Sequence, residues 1–196
     1  MTARWREIAI AGHTGDAAAA RAALADEDPV VRELGLGALL RLDQLTDADL
    51  HDALADSSPP VRRRAAMIAG TRPGVSLRAS LDDTDVTVVE AAAWACGEQE
   101  SVDDDVLAAL IDLGTSADDA LVREACVAAL GAIGDSRGLP TILDGCADKP
   151  AVRRRAVLAL APFDGGEVDG ALQTALTDRD WQVRQAAEDV LRAAGG

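Results

Sequence analysis

Apolar positions along this chain fall into two alternating kinds of segment. The longer kind opens on a valine followed by arginine: Val31-Arg32, Val61-Arg62, Val122-Arg123, Val152-Arg153 and Val183-Arg184, with Val89-Glu90 as a degenerate copy. Counting each valine as position 0, a small residue stands at +4 (Gly35, Ala65, Ala93, Cys126, Ala156, Ala187), and leucine stands at +8 in four copies. Positions 0, +4 and +8 share one face of a helix, so each copy predicts an amphipathic α-helix. A turn rich in Asp, Ser or Pro precedes each one: "DEDP", "SSPP" directly after Asp56, "DDTD", "SADD", "ADKP", "TDRD". Asp28, Ser58 and Asp180 are expected as N-caps that accept bonds from orphan backbone N–H groups. Pro29, Pro59 and Pro150 suit the first helical position, where no donor is needed. The shorter segments between these helices are "AAAARAALA", "ADLHDALA", "VSLRASL", "DDVLAALIDL", "LPTILDGCA" and "GALQTALT". Each predicts a first helix that the longer one follows.

The valines are spaced by 30, 28, 33, 30 and 31 residues. A near-constant period predicts a repeat architecture, in which one helix pair cannot bury its apolar stripe alone and stacking on neighbours does so. The expected organisation is six helix–turn–helix units, near residues 15–42, 46–70, 73–97, 102–134, 137–161 and 165–194, with residues 2–11 as a half-repeat cap. The triple-arginine blocks "VRRRAAM" and "VRRRAVL" lie 91 residues apart, which is three periods. The recurrence is therefore a property of the repeat.

The Asp-rich turn, Val-Arg, small residue at +4 and Leu at +8 resemble HEAT repeats, above all the short bacterial kind named after phycobilisome lyases. The resemblance covers residues 15–194 and makes the whole chain, 1–196, one repeat domain. It implies an all-α fold, a right-handed α-solenoid whose second helices line the concave side. In that family the arginine after the valine pairs with an aspartate of the inter-helix turn and forms a ladder between units. Carried over, this assigns Arg32, Arg62, Arg123, Arg153 and Arg184, with acceptors expected just upstream at Asp28, Asp56, Asp119, Asp148 and Asp178. Glu90 interrupts the ladder in the third copy. An arginine's rigid fork of donors suits this task.

Composition narrows the function. Hydrophobic residues make up 48% of the chain and aromatic ones only 2%, with three Trp, one Phe and no Tyr, so the core is built from Ala, Leu and Val. Lys and Arg total 19 against 34 Asp and Glu, a net charge of -15, which argues against duplex nucleic acid as the partner. Cys96, Cys126 and Cys146 form no CxxC and are expected as reduced, buried thiols in a cytoplasmic protein. No apolar run reaches a membrane span, and the N-terminus has charges inside its apolar stretch, unlike a signal peptide.

A search for chemistry finds little. The Gly35–Gly37 "GLG" sits inside a helical copy and lacks the strand and third glycine of a dinucleotide loop. There is no GxSxG or HExxH, and His13 and His51 are isolated. HEAT-like hydroxylases hold a di-iron site with His-Glu pairs, and no His-Glu dipeptide occurs here. No catalytic residue, metal or cofactor is therefore assigned. The expected function is a non-enzymatic, monomeric protein-interaction scaffold that binds a partner segment on the concave face. The alternatives implied by the resemblance are a phycobilin-lyase-like attachment factor or chaperone and, behind it, a nucleic-acid-binding HEAT-like protein. The expected binding groove centres on Trp94 at +5, with Met67, Val127, Val157 and Leu158 as floor and Arg63, Glu124 and Arg154 at +2 as rim. The other reading of +5 is burial against the next unit. The expected ligand is an amphipathic helix or extended segment with acidic flanks to meet the arginines.

Overall fold

The protein is described by a computed structural model over residues 3–194. Among these residues there are thirteen α-helices, one short 3-10 turn and no strand. A lone helix, α1 (Ala3–Thr14), is followed by six pairs. They are α2 (Ala17–Ala23) with α3 (Pro29–Arg41), α4 (Asp47–Leu54) with α5 (Pro59–Ala69), and α6 (Arg78–Leu81) with α7 (Val86–Glu98). Then come α8 (Asp104–Ser116) with α9 (Ala120–Ile133), α10 (Leu139–Gly145) with α11 (Pro150–Ala159), and α12 (Gly166–Ala175) with α13 (Trp181–Ala194). α1 occupies the expected cap from Ala3 on; residue 2 lies outside the described residues. No described helix is long and apolar enough to cross a membrane.

Local sequence accounts for the helix starts. Asp28, Asp85 and Asp119 each accept a bond from the backbone N–H two residues on, and Asp180 does the same for Gln182. Ser58 occupies the N-cap position of α5 but makes no side-chain cap bond; Pro59 and Pro60 follow it, and neither has an N–H to give. Thr46 and Asp49 form a reciprocal capping box at α4. The register relative to the N-cap is the same in every second helix, although Ser58 at α5 and Lys149 at α11 make no side-chain cap bond. The inward valine is the third helical residue after the cap: Val31, Val61, Val122, Val152 and Val183, all buried. In α7, capped by Asp85, that residue is Val88 and not Val89. Position +1 of the third unit is thus Val89, +2 is Glu90 and +6 is Trp94, each one place later than the Val89-Glu90 anchor predicts.

The odd-numbered helices form one layer in chain order, each packed on the next from α1 to α13. Their backbones come close because small residues face each other. A β-carbon added to Gly12, Gly97 or Gly131 would lie 2.9, 2.9 or 2.7 Å from the Cα of Ala38, Ala129 or Ala159 on the following second helix. In the other layer, only α6 with α8 and α8 with α10 pack substantially. The second helices thus form the more continuous of the two layers.

An arginine ladder ties the turns together. Arg32 grips Asp56 with Nε and Nη2, both at 2.7 Å, and Arg62 grips Asp83 at 2.6 and 2.8 Å. Arg123 grips Asp148 at 2.6 and 2.8 Å, and Arg153 grips Asp178 at 2.8 and 2.8 Å. Each fork also donates Nη1 to a carbonyl of its own turn, Asp26, Asp56, Ala117 or Asp148. The carboxylate therefore comes from the following unit, and the upstream turn supplies backbone oxygen. Asp28 and Asp119, expected as acceptors, are N-caps instead, and Asp83 takes a place the sequence pattern did not assign. Arg184 has no following unit among the described residues and donates only to the Asp178 carbonyl. The missing rung lies between the third and fourth units. Both halves are replaced there: Val89 stands at +1 and Ala117 stands where the next turn would present aspartate, and both join the hydrophobic core. Exchanging an enclosed ion pair for apolar packing is close to neutral in stability.

Candidate functional site

Each second helix from α3 to α11 is flanked on both sides within its layer and packs on its own first helix, so what reaches solvent is mainly a stripe near +2, +6 and +10; α13, last in the layer, exposes more. Position +6 reads Gly37, Met67, Trp94, Ala128, Leu158 and Asp189. Position +5 reads Leu36, Ala66, Ala93, Val127, Val157 and Glu188, and the first five of these are buried. Val127 and Val157, expected on the groove floor, are therefore core residues, because +5 points into the joint with the next unit. Trp94 escapes that fate through its register and is 45% exposed.

Around Trp94 a hollow of about 430 Å³ opens between α7 and α9, lined by Glu90, Glu98, Leu121, Glu124, Ala128 and Arg155 among others. A second hollow of about 490 Å³ between α9 and α11 shares Ala128, Ala132 and Arg155 with the first and continues to Leu158 and Pro162. Together they make one trough over α9. Its floor is the methyl row Ala125, Ala128 and Ala132, and its walls carry Trp94 on α7 and Leu158 on α11. Arg155 crosses toward Glu124, with Nε 3.6 Å from the carboxylate. Glu90 and Glu98 lie one helical turn either side of Trp94 and engage no partner among the described residues.

The other expected site residues lie elsewhere. Arg154 lines the next hollow, between α11 and α13, with Leu158 and the exposed Trp181. Arg63 is exposed on α5 and Met67 is half-buried there, neither lining the trough. Of the expected rim of Arg63, Glu124 and Arg154, only Glu124 lines the trough, joined there by Glu90, Glu98 and the paired Arg155. The sign of the site changes with it: a ligand with acidic flanks would face Glu90 and Glu98. The residues not foreseen are those two glutamates, Leu121, the alanine floor and Arg155. The N-cap at Asp85 was the signal that would have located Glu90 and Glu98, since it puts them on one ridge with Trp94, half-buried at Glu90 and exposed at Trp94 and Glu98.

Other enclosed features hold no convergent chemistry. A cavity of about 310 Å³ between the first two units is lined by Leu24, Leu36, Arg21 and Asp49, and its arginines are engaged, Arg21 by Asp49 and Arg32 by Asp56. Cys96 and Cys126 are buried and unbridged, and burial pushes both thiols up to about 12. Among the described residues no three His, Cys, Asp or Glu side chains group as a metal-binding set.

Comparison with known proteins agrees with this architecture. The model of a family described as HEAT repeats matches three overlapping segments, residues 48–131, 75–161 and 115–192. Among solved structures, human deoxyhypusine hydroxylase in complex with glycerol superposes with a TM-score of 0.50 at 19% identity, over 96% of this chain and 78% of that one. An engineered protein superposes with a TM-score of 0.48 at 20% identity, over 98% of this chain and 90% of that one. No curated protein sequence matches the chain. At these identities the structural likeness concerns the fold alone.

Proposed function

Given that the chain belongs to the HEAT-repeat family, we propose that it is a non-enzymatic scaffold that docks a protein segment on the exposed face of its second helices. The observation that carries this is Trp94, a large aromatic left 45% exposed at the edge of a continuous trough in an otherwise alanine-rich layer. Exposed apolar surface of this kind marks partner sites, and Trp is the residue that interfaces concentrate. The trough's ionisable side chains are carboxylates and one guanidinium, which can pair with charges of a docked segment. The trough runs from α7 across α9 to α11, so a bound segment would touch more than one unit at once.

A photoreactive benzoylphenylalanine at Ala128, in the trough, tests the reading against the same probe at Ala108, exposed on α8 in the opposite layer. The expected result in the protein's own cells is a discrete crosslinked adduct from the Ala128 site that is absent from the Ala108 site and lost on Trp94→Ser. Equal adducts from both sites, or none from Ala128, would remove the second-helix face as the docking surface.

A further inference from the structure

We infer that the occupant of this trough is an amphipathic helix of a partner protein, seated along α9 with lysine or arginine side chains along its α7 edge. The inference rests on the docking function proposed above and adds the chemistry of what docks.

Shape argues for a helix. Neighbouring helices in a packed layer lie about 8–10 Å apart, so the ridges of α7 and α11 stand roughly 16–20 Å from each other. Between them the middle of α9 presents the methyls of Ala125, Ala128 and Ala132, with Leu121 and Glu124 at its N-terminal end, while its neighbours raise Trp94 and Leu158. A helix about 10 Å across with its side chains can lie in the hollow between ridges at that spacing. A single extended strand, about 5 Å wide, would leave most of it filled with water. The 14 residues of α9 give the trough a length of about 21 Å, matching a partner helix of similar length. An alanine floor also lets that helix bring its own larger apolar side chains down to the surface.

Charge argues for a basic occupant. Glu124 and Arg155 neutralise each other at 3.6 Å, which leaves Glu90 and Glu98 as the uncompensated charges of the trough. They flank the exposed indole of Trp94 on one ridge. A cation laid over that ring would meet the negative face of the aromatic and a carboxylate on either side. The protein's net charge of -15 steers such a partner toward it and turns phosphate-rich surfaces away.

The probe is a synthetic, amidated peptide of about 18 residues built from leucine and lysine with helical periodicity, alongside a twin in which glutamate replaces lysine. Binding is measured by titration calorimetry at about 150 mM salt, where long-range attraction is screened. Acrylamide quenching of Trp94 follows in a Trp5→Phe/Trp181→Phe background whose helicity is first checked by dichroism. The lysine peptide is expected to bind and to shield Trp94, and the glutamate twin is expected not to bind. Glu90→Gln/Glu98→Gln should weaken the lysine peptide roughly tenfold. Asp112→Asn/Asp144→Asn, an equal charge change on the opposite layer, should leave affinity unchanged. Equal weakening by both double variants would reduce the effect to the general field and overturn the inference, as would binding of the glutamate twin or no binding of the lysine peptide. If the peptide fails while crosslinking from Ala128 persists, the docking function stands and the basic helix does not.

Discussion

Breaking one rung of the ladder tests how the units are held together, and Arg153 with Asp178 is the best-enclosed rung. Their side chains are 8% and 15% exposed, and Arg153 makes two bonds of 2.8 Å to the carboxylate and one of 2.8 Å to the Asp148 carbonyl. Arg153→Ala removes all three and leaves Asp178 with the Asp180 N–H as its strong donor. Removing one member of a fully buried pair costs about 3–5 kcal/mol. Asp178 keeps some access to water and can recover part of its solvation, so about 2–3 kcal/mol is expected. Asp178→Asn keeps the shape and one acceptor and should cost about 1–2 kcal/mol. The double variant should cost less than the sum by about 1 kcal/mol or more, because the second change removes the charge that the first one stranded. Arg184→Ala, which loses a single carbonyl bond, should cost only about 1 kcal/mol. Urea melts followed by dichroism give the totals. Trp181 in the sixth unit reports locally, and its emission should change before the bulk helix signal in the Arg153 variant, since repeat arrays come apart at weakened joints. Single costs below about 0.5 kcal/mol, or strict additivity, would refute the ladder as a source of stability.

Acid should loosen the same rungs. The arginine forks hold the carboxyls of Asp83, Asp148 and Asp178 below the usual range; at Asp56 burial pushes upward but is outweighed by Arg32 and the Ser58 N–H. Depressed folded values mean that this stability is complete above the unfolded-state value of about 3.9 and is lost as pH falls through the lower folded values. Urea midpoints should therefore be level from about pH 8 to pH 5 and drop below about pH 4; a level profile down to about pH 2.5 would contradict the assignment. The close approach in the second-helix layer is tested by Gly131→Ala, whose new methyl would lie 2.5 Å from that of Ala159 and force α9 and α11 apart. About 1–3 kcal/mol of destabilisation is expected. Gly170→Ala, with nothing within 4 Å, should be neutral or stabilising by up to about 1 kcal/mol, and equal effects at the two glycines would remove the packing argument.

The repeat, its helix pairs and the ladder arginines were legible because each follows from a local rule applied many times. Proline and aspartate at helix starts, valine facing inward and arginine beside it need no tertiary information to recognise. Two things were not legible by the same means. The partner of each arginine depends on how far a long side chain reaches across a joint, and it reaches the next turn, so Asp83 and not Asp28 belongs to the ladder. The groove depended on a register that "VTVVE" states ambiguously, with two adjacent valines and a glutamate where arginine was sought. A one-residue slip on a helix is a turn of about 100°, which separates Trp94 in a buried joint from Trp94 in solvent. Val127 and Val157 show the other side of the same geometry. Their position looks outward for an isolated helix and inward for one flanked on both sides.

The third unit gathers the departures from the pattern: a four-residue first helix at α6, valine in place of the ladder arginine, no aspartate opposite it at Ala117, and tryptophan on the exposed stripe. These are connected. Without a rung, the turns of the third and fourth units are not drawn together by a charged clamp. The joint is held instead by α7 against α9, where Gly97 brings the backbones close at Ala129, directly beneath the trough. The geometry of the trough floor is therefore set by helix packing at its own depth and not by a clamp at the far end of the helices. A repeat that obeyed the pattern everywhere would place an arginine fork at residue 89 and an aspartate at residue 117 to receive it; this chain has replaced both. Proteins break their own local rules where a site has to be built, and offset the cost nearby. Here the broken rule, its apolar compensation at Val89 and Ala117, and the Glu90–Trp94–Glu98 ridge fall within one joint, the joint that carries the proposed docking surface.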